Sequence, residues 1–354
     1  MGIIQGQLPS PREAVRIGKL QRRSAIRFFA FLTCIAILTA AFAASGLWIN
    51  RENLFDKNEP SVDDVEPPIV NIPSESTDSN QESEKAPSVP EGATAVISLD
   101  LSFGANQLPI LQNETAYHPD IEKIKNKQSI TDSNRNGPLV LILHTHASEA
   151  YLPQKTSYLT GNIGQEIYSN DRDRSVVSVG EELCETLNQN GVSAVHCPDQ
   201  HGKNGTLQSA YQGAANCIEA YLKKYPTIQY VIDLHRDGIL SDNGELVRTV
   251  IGHEGEAYGQ IMAVVGTDGN GTEHPSWQTN LSLALRLGEG LEDRVENIYR
   301  AVSLRNASYN QELAPNALLL EIGSAGNTQE EAIRSAKLVG EVLSGLIKQD
   351  REGD

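Results

Sequence analysis

The sequence predicts an α/β fold in which a mostly parallel sheet is covered by helices on both faces, preceded by one transmembrane helix. Two observations lead to this prediction. From Gly137 onward, short apolar runs typical of strands alternate with segments whose apolar residues recur at helical spacing. Earlier in the chain, the 22 residues 28–49 contain no charged side chain. That length is enough for a helix to cross about 30 Å of hydrocarbon.

Charge and cysteine content exclude several classes of function. The chain has 354 residues and a net charge of −17 at pH 7, which argues against nucleic acid as a partner, because nucleic-acid binding requires a basic surface. The cysteines show no CxxC spacing, so neither a disulfide scaffold nor a zinc–thiolate site is expected. Any metal should therefore be held by His and carboxylate side chains. The four cysteines are Cys34, Cys184, Cys197 and Cys217.

The N-terminal region divides into three segments. Residues 1–27 form a basic tail with six positive charges, and 28–49 form the apolar segment, which contains Trp48 near its end. We expect an uncleaved single-pass anchor with a cytoplasmic tail and an extracytoplasmic main domain. A cleaved signal peptide is the alternative, because small residues near 41–45 resemble a cleavage site. Residues 50–92, with eleven acidic residues and six prolines, should be a disordered linker.

Two further segments complete the predicted organisation. Residues 93–135 contain an alternating strand from Ala95, a short strand and a helix near Pro119, and should pack on the main domain as an N-terminal extension. Residues 136–350 form the main domain. Its predicted elements, in order, are a strand over 139–144, a long polar loop over 150–174, a helix from Val176 to Leu187, a strand over 192–196, a helix that ends before Pro226, strands over 229–234, 247–251 and 261–266, a helix over 278–291, a strand over 317–320, and a last helix that opens with the capping box Thr328–Glu331.

Three of the predicted strands end in residues suited to metal chemistry. His144 and His146 follow the first strand, His235 follows the strand 229–234, and Glu321 follows the strand 317–320. In open α/β sheets, ligands bind at the carboxyl ends of the strands. We therefore expect these three strand ends to build one metal site.

Each of these residues also has a structural interpretation. Histidines at a strand end can simply cap it, and a single buried histidine is often a satisfied core residue. Asp233 could orient the ring of His235 or simply be a buried partner of Arg236, and Glu149 lies near the first strand end. Arg236 could stabilise an oxyanion or bind a carboxylate of the substrate, or it could form a salt bridge with a neighbouring aspartate. Neither a nucleophile elbow nor a phosphate-binding loop is present in the sequence.

Several motifs together resemble the stage II sporulation protein P family of endospore-forming bacteria. They span about residues 108–348 and include Val140–Tyr151, Asp233–Asp237, Asn310–Pro315 and Leu319–Thr328. The resemblance implies a zinc-dependent peptidoglycan hydrolase of the zinc amidase fold, similar to N-acetylmuramoyl-L-alanine amidases. It also implies cleavage of peptide cross-links, action at the engulfing septal membrane, and two partners, the stage II sporulation proteins D and M.

The resemblance also implies roles for individual residues. His144 matches the first zinc-binding histidine, His235 the second, and Glu321 the catalytic glutamate. The third ligand stays open, because the related amidases have a glutamate before the first long helix where this chain has Asp171–Arg174. Glu149 is preferred for that role, followed by His146 and then Asp173. Two other functions compete with the amidase: a different zinc peptidase, and a wall-binding module that has lost turnover.

Overall fold

The computed structural model describes residues 89–102, 111–127, 136–201 and 207–352. The predicted basic tail, the apolar segment 28–49 and residues 50–88 of the acidic linker lie outside the described residues. Within the described ranges, no helix combines the length and the apolar composition needed to cross a bilayer.

The described elements follow the predicted alternation of strands and helices. They are β1 (Thr94–Leu99), β2 (Leu111–Asn113), α1 (Ile121–Lys125), β3 (Val140–Leu143), β4 (Tyr158–Leu159), α2 (Ile163–Ile167), a 3₁₀ turn (Arg172–Arg174), α3 (Val176–Gln189), β5 (Ala194–His196), α4 (Leu207–Lys224), β6 (Tyr230–Asp237), β7 (Leu246–His253), β8 (Glu256–Gly259), β9 (Ile261–Gly266), α5 (Trp277–Glu292), β10 (Tyr299–Arg305), a second 3₁₀ turn (Gln311–Leu313), β11 (Asn316–Ser324) and α6 (Gln329–Glu352). Strands β8 and β10 are absent from the sequence prediction, and so are β4 and α2, which lie in the segment 150–174 that is predicted as a loop.

The main sheet has seven strands in the order β2-β10-β9-β11-β6-β3-β5. All of its neighbouring strands are parallel except β11 and β9, which pair antiparallel. The predicted α/β fold is therefore confirmed, but the sheet is mixed. Because of the reversal at β9, the first residues of β9 and β10 lie at the same edge of the sheet as the carboxyl ends of β3, β6 and β11.

Helices cover both faces of this sheet, as predicted. One face packs against α3, α5 and α6 through a large apolar core that includes Val140, Ile142, Leu183, Leu285 and Val339. The other face packs against α4 through a smaller core that includes Leu141, Leu143 and Ile218. Alternate residues of β3 thus enter opposite cores, as the two-residue period of a strand requires.

A second, four-stranded sheet has the order β4-β1-β7-β8. The segment 93–135 contributes to both sheets, because β1 pairs parallel with β7 and β2 pairs parallel with β10. The small sheet is joined to the end of β11 by hydrogen bonds: Ser324 Oγ donates to Val247 O at 2.6 Å, and Thr249 N donates to Asn327 Oδ1 at 3.1 Å. The small sheet therefore fixes the turn that follows Glu321.

A disulfide between Cys197 and Cys217 joins the end of β5 to α4, although a disulfide scaffold is not expected from the cysteine spacing. The bridge is a single one, and Cys184 is left as a free thiol among the described residues.

Helix α6 begins with the predicted capping box. Glu331 N donates to Thr328 Oγ1 at 3.3 Å, and Thr328 N donates to Glu331 Oε2 at 3.1 Å. The same carboxylate accepts from Arg248 Nε at 3.1 and 3.0 Å and from Asn327 Nδ2 at 2.8 Å. Glu331 thus links the small sheet, the turn after β11 and the last helix in one buried network.

Removing this carboxylate should destabilise the fold. We expect Glu331→Ala to lower the free energy of unfolding by about 3–5 kcal/mol, because it leaves the guanidinium of Arg248 buried without its partner. Urea denaturation followed by circular dichroism measures the change. The matched control is Glu330→Ala: its side chain is 80% exposed, so its effect should stay within about 0.5 kcal/mol. Equal effects of the two variants would contradict a structural role for the Glu331 network.

Candidate metal and catalytic site

Four ionisable side chains lie buried in the last five residues of β6. Asp233, His235, Arg236 and Asp237 are between 2% and 7% exposed. Burying a charge costs free energy unless it is paired or hydrogen-bonded. The partners of these four side chains come from other elements, and together they form the candidate site.

His146, Glu149 and His235 form a compact cluster at this edge of the sheet. Their ligand-type atoms all lie within 4.8 Å of one another. The Nδ1 atom of His146 is 3.4 Å from Glu149 Oε1, and the Nδ1 atom of His235 is 3.2 Å from Glu149 Oε2. The two imidazole rings are perpendicular, with centroids 5.1 Å apart. The structure thus unites three of the four predicted metal ligands.

This cluster fits a zinc ion. Zinc binds nitrogen and carboxylate oxygen at about 2.0–2.2 Å in a tetrahedron, so neighbouring ligand atoms lie roughly 3.3–3.5 Å apart. The distance from His235 Nδ1 to Glu149 Oε2 is 3.2 Å, and that from His146 Nδ1 to Glu149 Oε1 is 3.4 Å. Both are close to that spacing. Two imidazoles and one carboxylate also form a common ligand set of catalytic zinc sites, which keep a fourth position open.

Asp233 lies on the opposite side of the His235 ring from Glu149. Its Oδ1 lies 3.1 Å from His235 Nε2, and its two oxygens accept hydrogen bonds from Thr145 N at 2.8 Å and Thr145 Oγ1 at 2.6 Å. Burial opposes the charged imidazolium, but the carboxylates of Asp233 and Glu149 raise the pKa of His235 well above its usual value. The metal-free site therefore holds His235 protonated between two carboxylates.

The position of Glu149 is set by its backbone as well as its side chain. Its N–H donates to His146 O at 3.0 Å, and its carbonyl accepts from Val176 N at the start of α3 at 2.9 Å. Its carboxylate also accepts from Arg236 N at 3.1 Å. Although burial alone would raise the pKa of Glu149, the charge of His235, hydrogen bonds with the side chains of His146 and His235, and the charge of Arg236 hold it well below its usual value. Glu149 is thus an ionised carboxylate.

Glu321 lies on β11 beside His235, its register partner on β6. Its Oε2 is buried and has no hydrogen-bond partner among the described residues. Burial, together with the negative charge of Asp237, raises the pKa of Glu321 to about 8, although the positive charges of His235 and Arg300 act in the opposite direction. An unpartnered carboxyl group with such a pKa is suited to exchange protons near neutral pH.

His144, predicted as a metal ligand, lies outside the cluster. Its ring continues the alternation of β3 and packs against α3, where a Cβ on Gly180 would lie 2.5 Å from His144 Cε1. Its Nδ1 donates to Leu234 O at 2.8 Å, which leaves Nε2 to accept from His196 Nε2 at 2.8 Å. Burial lowers the pKa of His144 to about 3 and that of His196 to about 4. Both nitrogens of the neutral His144 ring are therefore already occupied.

Arg236 does not point at the cluster, so the geometry does not support its predicted catalytic role. Its Nε donates to Ala150 O at 3.1 Å and an Nη atom donates to Ile167 O at 2.7 Å. The guanidinium thus fastens the segment after Glu149 to β6. Asp173, the last-ranked ligand, is exposed on a 3₁₀ turn outside the cluster.

Three side chains near the site are absent from the sequence prediction. Arg300 pairs with Asp237 at 2.8 Å and sits where the register of β10 shifts, in a bulge that redirects its side chain. Tyr211 on α4 lies edge-on to His146, with ring centroids 5.7 Å apart, and Tyr309 lies 6.1 Å beyond Tyr211. The only sequence signal for this region was the Asn310–Pro315 motif.

A second group, Cys197, His201 and Cys217, also brings ligand-type atoms within 4.8 Å of one another. Its two sulfur atoms are joined in the disulfide, so in this state it offers no thiolate pair to a metal. The described residues therefore leave the His146–Glu149–His235 cluster as the candidate metal centre.

Comparisons with solved structures find distant likenesses to amidases. An N-acetylmuramoyl-L-alanine amidase, AmiC2 of Nostoc punctiforme, is 12% identical with a TM-score of 0.36, and the match covers 60% of this chain and 98% of that one. The CwlD amidase of Clostridioides difficile, solved in complex with the GerS lipoprotein, is 14% identical with a TM-score of 0.37, and the match covers 61% and 100%. The description of the fold rests on the strand order and register given above.

Sequence comparison gives a more specific result. Stage II sporulation protein P of Bacillus subtilis (strain 168) is 25% identical over 246 residues, which are 64% of this chain and 58% of that protein. The chain thus spans less than two thirds of the length of this relative. The model of the family named Stage II sporulation protein P matches residues 55–344. Because this match covers most of the 354 residues, the chain belongs to the stage II sporulation protein P family.

Proposed function

We propose that the protein is a zinc-dependent cell-wall hydrolase that cleaves the amide bond between N-acetylmuramic acid and L-alanine of the stem peptide during sporulation. The observation that carries this proposal is the cluster of His146, Glu149 and His235, with Glu321 beside it, whose buried Oε2 has no hydrogen-bond partner among the described residues. Membership of the stage II sporulation protein P family supports the substrate and the setting.

The cluster residues would hold the ion, and Asp233 would keep the ring of His235 in place. A zinc ion bound there supplies Lewis acidity, which activates water and polarises the amide carbonyl. His144 has a different role in this proposal from the one expected of it: through Leu234 O, it fixes the backbone that leads into His235.

Glu321 is the proposed proton carrier. It accepts a proton from the attacking water and returns it to the nitrogen of the departing L-alanine. Its Oε2 makes no hydrogen bond to the described residues, so it is available both to the attacking water and to the departing nitrogen. The ion pair of Arg300 with Asp237 prevents a free negative charge from remaining next to Glu321.

We further propose that the apolar segment 28–49 anchors the chain as a single pass, with the catalytic domain outside the membrane facing peptidoglycan. The stage II sporulation proteins D and M are the proposed partners. These points rest on the sequence and the family alone.

Substitutions at the site should separate metal binding from turnover. In the purified full chain, we expect His235→Ala to lose bound zinc, measured by atomic absorption. Glu321→Gln should keep its zinc but release stem peptides from sacculi about 10²–10⁴ times more slowly, because it removes the proton acceptor. Mass spectrometry of the released fragments identifies free stem peptides that begin with L-alanine.

His253→Ala is the matched control, because His253 lies on β7 in the small sheet, away from the cluster. It should keep both zinc and activity. Digestion of sacculi by Glu321→Gln at the wild-type rate would refute the assigned role. A wild-type chain that binds sacculi and zinc without releasing fragments would instead be a wall-binding module.

Zinc binding should depend on pH through His235. Because the pKa of His235 is raised, the metal-free site is protonated at pH 7 and zinc must displace that proton. We expect about one proton to be released per zinc ion, and affinity to rise roughly tenfold per pH unit while His235 remains protonated. Calorimetry in two buffers of different ionisation enthalpy counts the protons. Release of no proton, together with an affinity independent of pH, would contradict this account of the site.

A further inference from the structure

A row of aromatic rings leads away from the metal cluster. The ring of Tyr211 on α4 meets His146 edge-on at 5.7 Å between centroids, and the ring of Tyr309 follows at 6.1 Å. Both tyrosines are only partly buried, and the phenol hydroxyls have no hydrogen-bond partner among the described residues. Tyr309 packs at its base on the small apolar cluster formed by Met262, Val264 and Leu319. The row thus continues the site outward from His146 as two partly exposed aromatic rings.

The backbone under Tyr309 is held in an unfavourable conformation. Tyr309 and Asn310 are consecutive non-glycine residues in the left-handed region, with φ of 55° and 59°. Such residues persist only where the surroundings impose them, and they concentrate at functional sites. Here the side chain of Asn310 donates to Tyr211 O at 2.9 Å, and Gln311 Oε1 accepts from Gly266 N at 2.9 Å. These bonds fix the two tyrosines relative to each other.

The row itself is uncharged at neutral pH, because burial raises the pKa of both phenols. A ligand packed on it is therefore bound through ring faces and hydroxyl groups rather than through ion pairs. Sugar rings of the glycan are neutral, and their faces carry C–H groups that pack on aromatic rings while their hydroxyls hydrogen-bond to phenols.

We propose that Tyr211 and Tyr309 form a saccharide-binding wall, which packs against the sugar rings of the glycan strand and so positions the amide bond at the His146–Glu149–His235 cluster. This assignment deepens the proposed function and rests on it for the substrate. In this arrangement the two tyrosines determine which substrates are recognised, because they distinguish a stem peptide attached to glycan from a free peptide.

The test uses variants of the full chain and two substrates with the same scissile bond. One is a disaccharide-peptide fragment of peptidoglycan, and the other is a lactyl-L-alanyl stem peptide without sugar. We expect Tyr211→Ala and Tyr309→Gly to raise KM for the disaccharide substrate about tenfold, the loss expected of one aromatic contact. The kcat/KM for the sugar-free substrate should fall much less, so that the preference for the disaccharide substrate drops about tenfold. Tyr309→Gly is chosen because glycine adopts the left-handed conformation without strain.

A second measurement does not depend on turnover. Calorimetry with peptide-free glycan strands should show an affinity about tenfold weaker in both variants, and a smaller loss in Tyr211→Phe, which keeps the ring but removes the hydroxyl group. Tyr258→Ala in the small sheet is the matched control and should bind glycan like the wild type. Thermal melts exclude loss of folding as the cause.

The outcomes separate the two proposals. If Tyr211→Ala and Tyr309→Gly bind glycan as tightly as the wild type, or lose activity on both substrates equally, the saccharide wall is refuted while the amidase function can stand. If the wild type cleaves neither substrate but its glycan affinity falls in the tyrosine variants, the amidase function is refuted and the wall stands.

Discussion

Burial of charge at the carboxyl end of β6 constrains most of the surrounding structure. A single strand brings two aspartates, a histidine and an arginine into a region where an unpaired charge is costly. Each must therefore be met by a group from elsewhere in the chain. Thr145 and Glu149 come from the turn after β3, Arg300 comes from a bulge in β10, and backbone carbonyls of the 150–168 segment receive Arg236. The candidate site is the place where these partners meet the charged residues of β6.

The convergence of strand ends could be predicted from the sequence, because apolar runs that end in His235 and Glu321 are unmistakable and parallel strands place such ends together. Which of the two histidines, His144 or His146, joins the metal cluster could not be predicted in this way. The strand period puts His144 and His146 on one side only if the strand continues, and here the chain turns at Thr145. His144 keeps the direction of β3 and enters the core, whereas the turn redirects His146 towards His235.

Other parts of the fold could not be predicted, because no local pattern in the sequence indicates them. Strand β10 is flanked by charged residues, and its position in the sheet depends on pairing with β9, a long-range contact that periodicity does not encode. The antiparallel junction of β9 with β11 is equally non-local. It matters for the site, because it brings Arg300 to the edge where β6 and β11 end. The contacts of Arg236 could not be predicted for a similar reason: its partners are backbone carbonyls, which have no signature in the sequence.

The position of β11 also determines the order in which the molecule can be completed. It is the last strand in sequence, yet it lies between β6 and β9 in the middle of the main sheet. Until Asn316–Ser324 has been synthesised, both neighbouring strands present unpaired backbone groups, which favour aggregation and must be kept apart. Glu321 arrives with this strand. A growing chain thus holds His146, Glu149 and His235 before it contains the Glu321 that lies beside them.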